Sequence, residues 1–405
     1  MSKLTKILAS VGCIAALGTG PATAQVSADL VKIGVLTDMA GVTADITGKG
    51  SLVAAQMAVE EIGGTILGKP IEVIVGDHQH RTDLGASMAR QWYDTGDVDV
   101  IVDVPNSSIA LAVQRLADKA HRLVLVSGAG TTQLTNEQCS PYGFHWTYDT
   151  YGMAHGTASA VVKEGKKKWF IIASDYAFGH SLQKDTTAVV QAGGGEVVGA
   201  VRHPINLMDF ASYLLQAQAS GAQVIGIANA GNDTVNAIKQ AGEFGITQAG
   251  QSLAAMILMI NDVHSLGLDA AQGTYLTTAS YWDMNEKSRE WSQRFKERVG
   301  DMPSMLQAGV YGSVVHYLKA VKAAGTDDAD AVAKAMRQLP VNDVFTENAT
   351  IREDGKVVRD LYLAKVKTPA ESKYDWDYFE IVRKIPAESA TIPLSQSTCP
   401  LVKKG

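Results

Sequence analysis

The sequence is short of the features that several function classes require. Lys and Arg total 36 against 42 Asp and Glu, a formal charge of −6. A basic excess able to follow a nucleic-acid backbone is therefore missing. Aromatic residues make up only 7% of the 405 residues, beside 38 glycines; that balance suits a layered α/β protein. The one leader-like apolar run, Ile7 to Leu17, falls short of the ~20 residues that span a bilayer, and no later run is long enough. Nucleotide and hydrolase signatures are missing too. In "LVLVSGAGTTQLT" (Leu123 to Thr135) no Lys follows the glycines, as a phosphate loop needs, and no glycines flank Ser127 in a nucleophile elbow. "AGGGEVVG" is not the Gly-x-Gly-x-x-Gly fingerprint after a strand and reads as a helix stop before a strand. No His pair stands at i, i+4, and the adjacent residues of "DHQH" (Asp77 to His80) rarely all reach one ion, so no metal site is expected. "KEGKKKWF" is a solvated charge run leading into a strand.

Three cysteines are present. Lys3 and Lys6, the apolar run and the small residues of "PATAQ" form a secretory leader, with cleavage expected after Ala24. The rival reading, lipid attachment at Cys13, suffers from Ser10 at the start of its box and from the short apolar run. Loss of the leader takes Cys13 away. Cys139 ("NEQCSPYG") and Cys399 ("QSTCPLVK") remain, both in polar loop contexts of an exported chain. A disulfide pinning the C-terminal tail is expected; two separate thiols are the alternative.

Roughly 380 residues then remain, more than one core usually holds, which predicts two domains. The chain alternates strand and helix. "VKIGVLT" is a buried strand, and "GSLVAAQMAVEEIGG" is a helix stopped at Gly63-Gly64. "IEVIVGD", "DLGASMARQWYD", "VDVIVDV", "SSIALAVQRLADKA" and "RLVLVS" repeat the unit. "YGFHWTYDTY" reads as an extended crossover. Alternation resumes at "KKWFIIASD", followed by a helix over 178–192, and runs to "SLAAMILMI". "GTYLTTASYW" is a second crossover, where Tyr281 and Trp282 either line a cleft or pack a crossing. Helices are predicted over 285–299, 305–324 and 328–338. A hairpin is predicted at Asp354-Gly355, and "WDYFEIVRKI" is a last strand. Parallel sheets covered on both faces follow, with ligands outside the carboxyl ends of the strands.

Together "IGVLTDMAG", "GDHQHRTDLGASMARQ", "NSSIALAV", "LVSGAGTTQLT", "DYAFGHSLQKD" and "GVYGSVVHYLKAV" resemble the type I periplasmic solute-binding proteins of the branched-chain amino acid and amide ABC transport group. The resemblance runs from about Val31 to Lys384. It implies two doubly wound parallel-sheet lobes joined by a multi-strand hinge. Lobe one is expected over 26–147 and 283–342, lobe two over 148–282 and 343–384, and a tail over 385–405. It also implies a monomeric receptor, without cofactor or catalysis, that delivers a solute to an ABC permease in the inner membrane. A sensor that signals to a membrane receptor would share this fold. A secreted hydrolase would need Ser127, a His and an Asp tied together by a motif that is missing.

In this light the small residues after "LVLV" free backbone N–H groups and a hydroxyl for a carboxylate. The start of the "SSIALAV" helix adds its positive dipole end; plain capping and turn chemistry is the competing reading. The expected ligand residues are Thr43, Asp45, Ser107, Ser108, Ala129, Gly130 and Thr131, then Tyr151, Tyr176, Phe178, Asn229 and Met256. Relatives that take α-amino acids place an acidic residue near Met256. Here stand Ala and Met, with Asp262 several residues too late. Asn229, Ala230 and Gly231 replace the large aromatics common in the family. Burying an ammonium without a partner is costly, so the expected ligand is a small carboxylate, aromatic rather than an α-amino acid. A branched-chain amino acid or amide is the runner-up.

Overall fold

The structure, a computed structural model, describes residues 26–403; the expected leader at 1–24 lies outside the described residues. In chain order the first lobe opens with β1 (Val31–Thr37), α1 (Gly48–Glu61), β2 (Thr65–Ile66), β3 (Lys69–Asp77), α2 (Thr82–Asp94), β4 (Val100–Asp103), α3 (Ser107–Ala120), β5 (Leu123–Val126) and β6 (Gly143–His145). The second holds α4 (Thr150–Lys163), β7 (Lys168–Ser174), α5 (Ala177–Ala192), β8 (Glu196–His203), α6 (Ala211–Ala219), β9 (Val224–Ala228), α7 (Asn232–Glu243), β10 (Ser252–Ala255), α8 (Ile260–Leu266), α9 (Leu268–Ala271) and β11 (Tyr275–Thr278). The chain then returns through α10 (Glu286–Val299), α11 (Met305–Ala324), α12 (Ala329–Gln338), β12 (Thr350–Ile351) and β13 (Val357–Val358). It ends on β14 (Leu361–Val366) and β15 (Phe379–Ile385).

The first sheet has the order β2-β3-β1-β4-β5-β6, parallel except for the β2–β3 pair. Strand β1 is buried at nearly every position because both faces are covered. Val31, Ile33 and Val35 pack with Trp291, Phe295 and Tyr311 of α10 and α11. Leu36, Ile101 and Val124 pack on the other face with Ile109 and Val113 of α3. The second sheet, β10-β9-β7-β8, is wholly parallel and likewise covered on both faces. A separate antiparallel sheet, β11-β14-β15, closes the second lobe.

Three differences from the sequence reading have physical causes. Helix α4 is unforeseen because Gly152 and Gly156 depress helix propensity. Gly156 is required by packing, since a Cβ there would lie 2.1 Å from Thr277 Oγ1. Strand β10 stops at Ala255, earlier than the apolar run predicts, and Ile260 starts a new helix. Periodicity alone could not separate those two. The return into the second lobe also comes later than 343, because Ala349, Ile351 and Val357 belong to the first core. The hairpin of β12 and β13 does turn at Asp354-Gly355, where Gly355 takes φ +81°.

The chain crosses between lobes after β6, after β11 and after β13. At the first crossing Asp149 caps α4, accepting from Gly152 N at 2.8 Å. It also pairs with Lys356 at 2.9 Å, both side chains buried. Burial opposes the charge on Asp149, but Lys356 and His145 outweigh it and hold the carboxyl below its usual range. Cys139 and Cys399 are disulfide-bonded, 260 residues apart in sequence. The bond ties the tail that follows β15 back to the first lobe.

Candidate ligand cleft

The carboxyl ends of the strands in both lobes meet. Asn232 N at the start of α7 donates to Val42 O at 2.9 Å. Thr131 Oγ1 and Ser181 Oγ of α5 lie 2.7 Å apart. Ile46 of lobe one is buried in the second lobe's core. The closeness depends on Gly231: at φ +59°, a Cβ would sit 2.2 Å from Val42 O. These contacts describe a closed cleft.

The lobe-one wall is built from four strand ends. After β4, Asn106 caps α3, its Oδ1 accepting from Ser108 N at 2.9 Å and Ile109 N at 3.1 Å. Ser107 is buried and its Oγ accepts from Thr131 N at 3.3 Å, while Ser108 is half-buried. After β5, Ala129 O accepts from His145 Nε2 at 2.8 Å, and Gly130 O accepts from Thr150 N at 2.8 Å. Gly130 carries the Tyr148 ring so closely that a Cβ would lie 2.7 Å from it. Sequence reasoning did not place His80, which lies in the turn after β3 and joins three loops. Its Nδ1 lies 3.1 Å from Asn106 Nδ2, a donor, so Nδ1 accepts and Nε2 carries the proton. Nε2 lies 3.0 Å from Asp38 Oδ2 and 2.9 Å from Thr43 Oγ1. Thr43 in turn donates its hydroxyl to Asp38 Oδ2 at 2.9 Å. Burial opposes ionisation of Asp38, but the hydrogen bond from His80, with those from Thr43, holds its carboxyl far below the usual range. The signal for His80 lay in its position at a strand's carboxyl end.

Beneath these loops lies Asp103, fully buried and in the left-handed region at φ +77°, with Val104 beside it at +51°. Two successive non-glycine residues there store strain. Asp103 O accepts from Ser127 N and Gly128 N, so the strained turn shapes the Gly128–Thr131 loop. Burial pushes the Asp103 carboxyl up to about 7, with the Asp38 charge adding to it against the Thr37 and Ser51 hydroxyls.

On the lobe-two side, Tyr176 is half-buried and pairs with Phe178, ring centroids 5.9 Å apart. Phe178 itself is buried in the second core. Burial first, then the Asp233 charge, raises the Tyr176 phenol far above its ordinary value. Asn229 is buried and its Oδ1 lies 2.8 Å from His203 Nε2. Met256 to Met259 are all buried. Asp262 turns back to cap Met259 N at 2.8 Å. The acidic group whose charge acts on Tyr176 is Asp233, whose two oxygens accept from Asn206 N and Leu207 N at 3.1 and 2.9 Å. Two expected residues stand apart. Asp45 is exposed on a short 3-10 turn. Tyr151 stacks on His155 at 3.7 Å in a separate pocket beside the C-terminal tail.

Residues 30–373 match the family described as periplasmic binding protein. The chain belongs to the periplasmic binding protein family. A periplasmic binding protein from Burkholderia mallei is 50% identical, with a TM-score of 0.91 and coverage of 93% of this chain and 100% of that one. A branched-chain amino acid ABC transporter periplasmic ligand-binding protein from Burkholderia xenovorans is 40% identical, TM-score 0.82, covering 92% and 100%. A solute-binding protein of an ABC transporter from Rhodopseudomonas palustris, in complex with 3,4-dihydroxybenzoic acid, is 26% identical, TM-score 0.81, covering 89% and 98%. This periplasmic binding protein is thus a solute-binding component of the ABC transporter type and not an enzyme. Such proteins take up small molecules and work with ABC permeases, and the family implies a periplasmic location. Among the described residues no helix is long and apolar enough to cross a membrane.

Proposed function

We propose that this periplasmic binding protein captures a small aromatic carboxylate between its lobes, by hinge closure, and delivers it as a monomer to an inner-membrane ABC permease. The carrying observation is the buried apolar run from Met256 to Met259, where an ammonium-holding carboxylate would be needed for an α-amino acid. Ser107, Ser108 and the Ala129–Thr131 loop supply hydroxyl and backbone donors for the carboxylate. Tyr176 supplies a flat wall, and a ring stacked on it gains about 0.5–1.5 kcal/mol beyond area burial. The Rhodopseudomonas neighbour in complex with 3,4-dihydroxybenzoic acid supports the same ligand class.

A second reading, a branched-chain amino acid, is favoured by Asp233, a buried carboxyl beside Tyr176, and by the Burkholderia xenovorans neighbour. The two Asp233 oxygens already accept backbone N–H groups, which favours the aromatic acid. Calorimetry with benzoate, 3,4-dihydroxybenzoate, leucine and valine tests this. The expected result is saturable binding of the aromatic acids alone. Tyr176→Ala should weaken benzoate binding by about tenfold and acetate binding far less. Tight binding of leucine or valine with the aromatic acids inert would defeat the proposal.

A further inference from the structure

On the hinge side, away from the cleft, a groove of about 680 Å³ runs between the α10 approach at 284–287 and the segment 343–348. It continues over Val358 and Arg359. Its walls thus come from the second and third chain crossings. Two buried side chains line it with unused hydrogen-bonding atoms. Thr346 is 6% exposed and its Oγ1 has no partner among the described residues. Arg359 is 8% exposed; its Nη2 donates to Ala279 O at 3.0 Å and Phe345 O at 3.3 Å, while Nε has no partner among the described residues. A buried donor left unmade costs the desolvation of its group, so a guest offering acceptors would be favoured here.

We infer that this groove is a second small-molecule site, one that takes a monocarboxylate with a short hydrocarbon tail. The carboxylate accepts from Arg359 Nε and from the Thr346 hydroxyl, and the tail lies on Phe345, Val358 and Tyr362. Glu347 and Asp360 also line it, and Asp343 and Asp360 both act on the Arg359 charge. Their repulsion disfavours a dianion. Butyrate and sulfate therefore serve as the probes.

The experiment is an amide-resolved NMR titration of the full-length mature protein. Butyrate should give saturable shifts at Phe345, Thr346 and the Arg359 side-chain Nε–H, with sulfate inert. Thr346→Val removes a hydroxyl that holds up no other group, so the fold survives. It should weaken the groove response about tenfold, one hydrogen bond to a charged group, and leave binding in the interlobe cleft unchanged. Because the readout is local to the groove, its failure is distinct from failure of the cleft reading. No saturable shift at these residues, or an identical curve in Thr346→Val, would overturn the site.

Discussion

Asp103 shows how much one residue does for the cleft. It bends the chain at a strand end, anchors the Gly128–Thr131 loop through its carbonyl, and buries a carboxyl pushed up to about 7. The unfolded value is about 3.9. The folded state therefore keeps a proton that the unfolded chain has released between about pH 4 and 7. That contribution is full below the unfolded value and is lost as pH rises through the folded one. Asp103→Asn keeps the neutral form at every pH. Its stability profile by denaturant unfolding should be flatter between about pH 4 and 7, and the variant should be more stable at pH 8, by on the order of a few kcal/mol. Asp99 and Asp185, each pushed up to about 6 chiefly by burial, contribute slopes of the same sign and persist in the variant. An unchanged profile would mean that Asp103 is not protonated in the fold. Nothing in the sequence separated Asp103 from any other strand-end aspartate, because its burial and backbone angle depend on what packs over it.

At the scale of elements, closure rests on the loop before α1 meeting the start of α7. Gly231 takes φ +59° with ψ −139°, a combination essentially confined to glycine, against Val42 O, where a side chain costs about 1–3 kcal/mol in backbone strain alone. Gly231→Ala should leave each lobe folded but oppose the contact. The expected outcome is ligand affinity reduced by about tenfold or more, with the ligand-bound protein larger by small-angle scattering than the wild type. Equal affinity and equal compaction would show that closure does not use this contact. The glycine was visible in the sequence, where it stood only as one of three small residues in place of large aromatics; its partner lies in the other lobe. Helix α4 makes the same point, since Gly152 and Gly156 hide it from propensity while Thr277 and Leu361 explain both glycines.

For the whole molecule, the Cys139–Cys399 bond joins the end of the second lobe to the first across 260 residues. A crosslink closing so long a loop removes much unfolded-state entropy, typically about 2–4 kcal/mol and at most ~5. The double substitution Cys139→Ser with Cys399→Ser should lower unfolding free energy within that range by denaturant titration, with solute binding retained. Loss of binding together with unchanged stability would contradict this account, because it would make the tail part of the site rather than a strap.

The sequence by itself determined the alternation of buried strands and amphipathic helices, the parallel sheets, the cysteine pair and the family, because these rest on local periodicity and ordered motifs. It also pointed to the strand ends around Ser107, Thr131 and Tyr176. Tertiary structure alone decided which strand ends touch. It made His80 a hub for Asp38, Thr43 and Asn106, sent Phe178 into the core, left Asp45 exposed and set Tyr151 aside with His155. Those outcomes depend on contacts between residues far apart in the chain, and no local pattern encodes them.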